Sequence, residues 1–357
     1  MDTVYEKIDQ PRAGRIVSAL CTWYNASKRD LPWRRDAQPY AVWVCEVMAQ
    51  QTQIATLLPY YEKFMRLFPT VGALAEADIE AVLKAWEGLG YYTRAHNLHK
   101  AAVMVMEQFG GRMPQTEKEL KRLPGVGDYT AGAVLSIAFN QRAPAVDGNV
   151  LRVFARLENN TEDIASPAVK TALKDVIRAI MPSENTGVFT QSLMELGALV
   201  CTPKSPSCGA CPLDTLCKAR QNGVVDALPV KSAKKPHREA DKTVLLVENR
   251  AGEVLMRKRS ERLLNGLWEF YSVEGKLDDG DVTRHLLANG FDCPNPVYIG
   301  NARHVFTHLI WRMEGFHCAV GGETPPPGYV FIRKDAVQSV PVPAAHGFFL
   351  KYLLYNL

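Results

Sequence analysis

Four cysteines fall within residues 201–217 in the pattern C-x6-C-x2-C-x5-C: Cys201, Cys208, Cys211 and Cys217. Crowding of this kind in one chain points to metal ligation rather than to disulfides. A structural zinc site pairs two short Cys-x2–4-Cys units across a longer loop; here one short loop must wrap all four thiolates around a single centre. Four cysteine thiolates are the usual ligand set of a 4Fe–4S cluster. The spacing therefore favours that cluster over zinc, with free structural thiols as the third reading. The remaining cysteines, Cys21, Cys45, Cys293 and Cys318, are scattered.

Two carboxylates carry a second kind of chemistry. Glu46 lies in YAVWVCEVMAQQTQ, flanked by Val42, Trp43, Val44, Cys45, Val47 and Met48. A carboxylate isolated among apolar groups resists ionisation, and a carboxyl still protonated near neutrality serves as a general acid. The alternative is a solvated glutamate on a helix face; Gln50, Gln51 and Gln53, groups suited to hydrogen-bonding bases, favour the first reading. Asp147, in APAVDGNVLRVFARL, precedes a helical run. It reads as an N-cap or as a reacting carboxylate, and the two roles are compatible.

A third feature suits an anion. In LKRLPGVGDYTAGAVLSIAF the segment Leu123-Pro124-Gly125-Val126-Gly127 joins two helical runs. Glycines permit a tight turn with open amides, and the following helix adds its dipole, so Gly125, Val126 and Gly127 are expected to hold a phosphate. The loop TPKSPS between the first two clustered cysteines presents Lys204, a second phosphate contact or simply a solvated charge.

These residues need elements to position them. From about Pro11 to Val200 apolar residues recur at helical spacing, with helices expected over Ala41–Leu58, Ile79–Glu87, Thr93–Phe109, Tyr129–Phe139, Asn149–Leu157 and Pro167–Ile180. Residues 226–242 combine two prolines, several charges and no apolar period, and read as a linker. Beyond it come short β-branched runs, at Thr243–Val247, Glu253–Met256, Val297–Ile299, His304–Ile310 and Val330–Ile332, with a helix around Asp281–Ala288. The expected organisation is multidomain: a helical domain over 1–225, the linker 226–242, and a small α+β domain over 243–357.

Composition is consistent with two ordinary folded domains. The 357 residues are 47 % hydrophobic and 22 % charged, which excludes a largely disordered chain. A net charge of +4 permits a polyanionic partner without requiring one. No signal-like leader and no apolar run near the roughly 18 residues of a membrane span is present, so a cytoplasmic protein without a membrane partner is expected.

The motifs taken together resemble a known family. LPWR at Leu31–Arg34, EVMAQQTQ at Glu46–Gln53, GLGYYTRAHNLHKAA at Gly88–Ala102, LPGVG, VDGNV at Val146–Val150 and the cysteine spacing are similar to bacterial adenine DNA glycosylases of the MutY type. The resemblance implies an all-α helix-hairpin-helix glycosylase core with a 4Fe–4S loop. It also implies a monomer acting at the nucleoid on double-stranded DNA holding adenine opposite 8-oxoguanine or guanine. It assigns Glu46 to protonation of the adenine leaving group at N7 and Asp147 to the oxocarbenium-like sugar, with Tyr129 and Asn149 in support. Arg29, Leu31, Trp33, Arg34 and Gln191 would line the adenine pocket, and Gln51 and Tyr91 would enter the duplex.

In the C-terminal part, NGLWEF at Asn265–Phe270 and HVFTH at His304–His308 are similar to the MutT-like (nudix-like) domain that reads 8-oxoguanine in this family. Phe306, Thr307 and His308 would contact the lesion; taken alone, the same residues read as an ordinary strand. No G-x5-E-x7-R-E-x2-E-E metal box follows Gly266, so this domain is expected to read rather than cut.

The departures are informative. Bifunctional relatives of the endonuclease III type carry a lysine where this chain has Tyr129, which predicts a monofunctional enzyme. Leu151 stands where some family members have a lysine, Cys45 where serine is common, and Thr307 where F-S-H has serine. A glycosylase/lyase and a non-enzymatic iron–sulfur DNA-binding protein are the rival classes.

Overall fold

The structure is a computed structural model that describes residues 4–232, 236–321 and 324–355. Two compact units partition the chain: Met1–Glu76 with Lys100–Ala233, and Ala77–His99 with Lys234–Leu357. Residues 233–235 of the segment expected as a linker lie outside the described residues.

The first unit is helical. The helix Pro39–Ala49 opens on a proline, whose fixed φ suits a first turn, and every residue from Tyr40 to Met48 is buried. A helix apolar on all sides belongs in the middle of a core. It does not continue to Leu58 as its periodicity suggests. The chain breaks at Gln50–Gln53, where Gln51 adopts a left-handed φ of 58°, and a new helix runs Ile54–Leu67.

The hairpin is built from the short helix Glu117–Leu120 and the helix Asp128–Phe139. Gly125 turns the chain at φ 78°, where a side chain would be strained, and Asn140 ends the second helix in the left-handed conformation. Helices Gly148–Leu157, Pro167–Ile180 and Thr186–Leu199 complete a core holding Phe154, Leu173, Phe189 and Leu193.

The second unit carries a six-stranded sheet: β1 Arg238–Glu248, β2 Glu253–Lys258, β3 Trp268–Glu274, β4 Val297–Val305, β5 Leu309–Ala319 and β6 Val330–Arg333. Its spatial order is β4-β5-β1-β3-β2-β6, with β1 parallel to β5 and the other pairs antiparallel. Central β1 buries both faces, hence its continuous Val244–Val247 run. Val244 and Leu246 face a cluster with Phe349 and Leu353 of the helix Gly347–Tyr355; Leu245 and Val247 face Val282 and Leu286 of the helix Asp279–Ala288.

Two expectations shift here. β1 starts at Arg238, within the segment 226–242, because its polar first residues pair with β5 from Leu309 onward. The expected strand His304–Ile310 is instead the β4–β5 hairpin, whose turn is Phe306-Thr307-His308, closed by Phe306 N–H on the Leu309 carbonyl at 2.7 Å. No helix among the described residues is long and apolar enough to cross a membrane.

Candidate active site

Glu46 and Asp147 line one open cleft of about 1200 Å³ in the helical unit. Glu46 comes from the last turns of the buried helix Pro39–Ala49, and only 7 % of the residue is exposed. Tyr129, in the first turn of the second hairpin helix, donates its hydroxyl to Glu46 Oε2 at 2.6 Å. Burial pushes the Glu46 carboxyl up, the Tyr129 bond opposes it, and the neighbouring Asp147 adds to the rise, leaving the group at about 7. The same burial, next to Glu46, raises the Tyr129 phenol well above its ordinary value, so it stays a donor.

Asp147 is the N-cap of the helix Gly148–Leu157. Its Oδ1 accepts from Val150 N at 2.8 Å and its Oδ2 from Asn149 Nδ2 at 2.8 Å. Burial raises this carboxyl above its ordinary range, while those two bonds counteract the rise. Capping and exposure to the cleft therefore coexist in one side chain. Behind it, Arg152 Nη2 donates to Asn149 Oδ1 at 2.8 Å and to the Gly197 carbonyl at 2.7 Å, and Arg152 Nε donates to the Cys201 carbonyl at 2.8 Å. A continuous polar chain runs from Asp147 to the first clustered cysteine.

Arg29, Leu31, Trp33, Arg34, Gln51 and Gln191 line the same cleft, as do Tyr129, Asn149, Gly125 and Gly127. Val126 turns inward and is buried. The two arginines share one carboxylate. Arg29 Nη2 and Arg34 Nη2 lie 2.6 and 2.7 Å from Glu195 Oε2, and Arg29 Nε and Arg34 Nη1 each lie 2.9 Å from Oε1. Burial alone would raise Glu195, but the bonds from Arg34 and Arg29 prevail and hold it down at about 2. Two buried carboxylates on one cleft are thus driven in opposite directions by their partners. Gln191 is fixed by the Tyr24 hydroxyl, 3.1 Å from its Oε1.

Sequence reasoning missed Glu195, Arg152 and Arg156. The signal for Glu195 was present: a lone acid in the apolar run TGVFTQSLMELGAL, one helical turn after Gln191. The arginines carried no comparable signal, because helix arginines are usually solvated.

Cys201, Cys208, Cys211 and Cys217 line one small cavity of about 30 Å³ beneath the helix Gly148–Leu157. The buried Arg156 guanidinium donates to Cys201 Sγ at 3.3 Å and to the Thr202 carbonyl at 2.8 Å. Four cysteine sulfurs on one cavity, with a buried cation beside them, fit an iron–sulfur centre. Lys204 is exposed on the loop between the first two cysteines.

Tyr91, Phe306, Thr307 and His308 belong to the second unit. Thr307 Oγ1 donates to the Tyr91 hydroxyl oxygen at 3.1 Å, and the Phe306 ring packs edge-on against Trp311 and His304. Like Gln51, Tyr91 holds a left-handed φ, here 49°. Such backbone costs about 1 kcal/mol or more in a residue other than glycine and clusters at functional positions.

Comparison with known proteins agrees with this geometry. Residues 44–179 match the HhH-GPD superfamily of base excision DNA repair proteins, residues 201–217 the iron–sulfur binding domain of endonuclease III, and residues 243–352 the NUDIX domain. The human adenine DNA glycosylase is 35 % identical over an alignment of 392 positions that covers 92 % of this chain and 72 % of that protein. The adenine DNA glycosylase of Buchnera aphidicola subsp. Baizongia pistaciae is 32 % identical over 292 residues, 81 % of this chain and 82 % of its own. Among solved structures, a thermostable thymine-DNA glycosylase aligns with a TM-score of 0.53 at 28 % identity, covering 59 % of this chain and 98 % of that one. An endonuclease III in a non-covalent DNA complex aligns at 0.52 and 24 % identity over 60 % of this chain and 98 % of its own, a similarity of fold. A helical cleft lined by two carboxyls, a loop that matches an iron–sulfur binding domain and a NUDIX sheet occur here in one chain that aligns with those relatives over most of its length: the chain belongs to the adenine DNA glycosylase family.

Proposed function

We propose that the chain hydrolyses the N-glycosidic bond of adenine paired with 8-oxoguanine, or with guanine, in double-stranded DNA, without cleaving the strand, and so initiates base excision repair. The observation that carries this reading is the pair of differently tuned carboxyls on one cleft, Glu46 at about 7 and the doubly hydrogen-bonded Asp147. Adenine enters the cleft after rotation out of the stack, which costs a few kcal/mol and least at a mispair. The Tyr129 hydroxyl occupies Glu46 Oε2, leaving Oε1 to carry the proton delivered to adenine N7, so that the base departs neutral. Asp147 faces the oxocarbenium-like sugar as a carboxylate, and water completes the hydrolysis. Arg29, Leu31, Trp33, Arg34 and Gln191 form the walls that hold the base.

Strand cleavage through a Schiff base needs an amine, and no lysine lines the cleft among the described residues. Borohydride should therefore fail to trap the protein on abasic DNA. Cys201, Cys208, Cys211 and Cys217 would hold a 4Fe–4S cluster, whose iron–thiolate bonds brace the loop that offers Lys204 to a phosphate. Metal analysis should find about four irons and four acid-labile sulfides per chain; zinc in their place would refute the cluster. Gly125 and Gly127 line the cleft and supply amides to a second phosphate, whereas the Val126 amide is taken by the Leu123 carbonyl at 3.1 Å and is not available to one.

The decisive experiment is single-turnover adenine release from duplexes with A opposite 8-oxoguanine, guanine or thymine. Release should be fastest from the first, and Glu46→Gln and Asp147→Asn should each slow it by about a hundredfold or more. Wild-type rates in Glu46→Gln would remove the general acid. Phe306, Thr307 and His308, with Gln51 and Tyr91 entering the duplex, account for the preference over guanine. Thr307→Ala should narrow that preference several-fold while leaving the rate opposite guanine intact. Sedimentation should find a monomer.

A further inference from the structure

Two thiols that take no part in the proposed hydrolysis lie side by side in the sheet unit. Cys293 follows the helix Asp279–Ala288, and Cys318 sits near the end of β5; both thiols are free and both are buried. Both side chains belong to one apolar cluster, which also contains Phe291 and Phe316, and each thiol is close enough to shift the other's ionisation. The backbones on either side are drawn together as well, with Gly321 N–H donating to the Asp292 carbonyl at 3.4 Å.

We propose that Cys293 and Cys318 form a modification site, a dithiol that a peroxide converts into an intramolecular disulfide. One thiolate attacks the peroxide oxygen and becomes a sulfenic acid as the O–O bond breaks and water leaves. The second thiolate attacks that sulfur, forming the S–S bond and releasing a second water. In sum, two thiols and one hydrogen peroxide give one disulfide and two waters, with the two electrons from sulfur reducing the peroxide. Burial pushes both thiols up, so few thiolates exist at neutral pH and the first step is slow. The second step is intramolecular, with its partner held in the same cluster, so it outpaces attack by any thiol from outside the chain. The bond encloses residues 294–317, which are β4, the Phe306–His308 turn and most of β5. It therefore staples the base of the hairpin whose tip carries Thr307.

The test is cysteine mapping of the iron-loaded full chain. The protein is treated with hydrogen peroxide, quenched with N-ethylmaleimide under denaturation, digested without reductant and analysed by mass spectrometry. A linked peptide pair joining Cys293 to Cys318, lighter by two hydrogens and lost on reduction, is expected. Recovery of both residues as maleimide adducts at doses that oxidise Cys21, or linkage of either to a different cysteine, overturns the proposal. This mapping uses wild-type protein, so no variant needs to fold. Oxidation should also slow amide exchange of residues 306–308 several-fold, and Cys318→Ser should abolish the slowing; unchanged exchange overturns the staple.

Discussion

Glu46 and Glu195 are both nearly excluded from water on the same cleft, yet one is held near neutrality and the other near 2. The difference is the partner: a phenol for Glu46, two guanidiniums for Glu195. This has a sign that stability measurements can read. The folded state holds the Glu46 proton more tightly than the unfolded chain, so stability from this group is complete below about pH 4.5 and is lost as pH rises through about 7. Glutamine has no such proton. Glu46→Gln should match the wild type near pH 4.5 and exceed it by up to about 3 kcal/mol above neutrality in urea denaturation; parallel pH profiles would place the carboxyl in water. The single-turnover rate should fall about tenfold per pH unit above 7, as the proposed acid loses its proton. Glu195→Gln acts in the opposite way, leaving Arg29 and Arg34 without their shared anion. A loss of roughly 3 kcal/mol is expected in the same denaturation assay, and a change below 1 kcal/mol would mean that the arginines re-solvate.

Elements position these residues through close backbone approach. A Cβ built on Gly197 would lie 2.5 Å from Asn149 Cβ and 3.1 Å from its Cα, both on the helix that Asp147 caps. Gly197→Ala must therefore push Asn149 away and weaken its bond to Asp147 Oδ2. We expect a loss of about 1–3 kcal/mol in thermal unfolding, together with at least a tenfold drop in the single-turnover rate and an unchanged affinity for DNA; a full rate would mean that Asn149 does not position the aspartate. At this scale the sequence was partly legible. Thr93–Phe109 and Pro167–Ile180 form as their periodicity implies, because local apolar spacing and a first-turn proline agree with the tertiary contacts. Ala41–Leu58 did not persist, since the left-handed Gln51 has no local signature. His304–Ile310 reads as β by composition, but Phe306 folds back on Trp311 and turns the chain.

For the whole molecule, the four-cysteine loop is the part whose stability comes from outside its own core. The cavity it encloses is small, and Arg152 and Arg156 tie it to the helix of Asp147. Removing the iron with a chelator under reducing conditions should raise hydrogen exchange in residues 196–228 and in the helix Gly148–Leu157, and slow adenine release. The strands β1 to β6 should keep their protection. Unchanged exchange around Cys201 would mean that the loop needs no cluster.

Residue type and spacing along the chain already carry part of the chemistry: the four-cysteine loop, the glycine hairpin, the acid in an apolar helix and the aspartate before another. These are local properties, set by a few neighbouring residues. Partnership between distant segments comes instead from packing. Tyr129 reaches Glu46 across 83 residues, Arg29 and Arg34 close on Glu195 across more than 160, and Cys293 meets Cys318. Such pairs depend on which helix faces pack together and which glycines allow it. They set the charge states that separate a carboxyl held near neutrality from a clamped carboxylate, and no spacing along the chain encodes them.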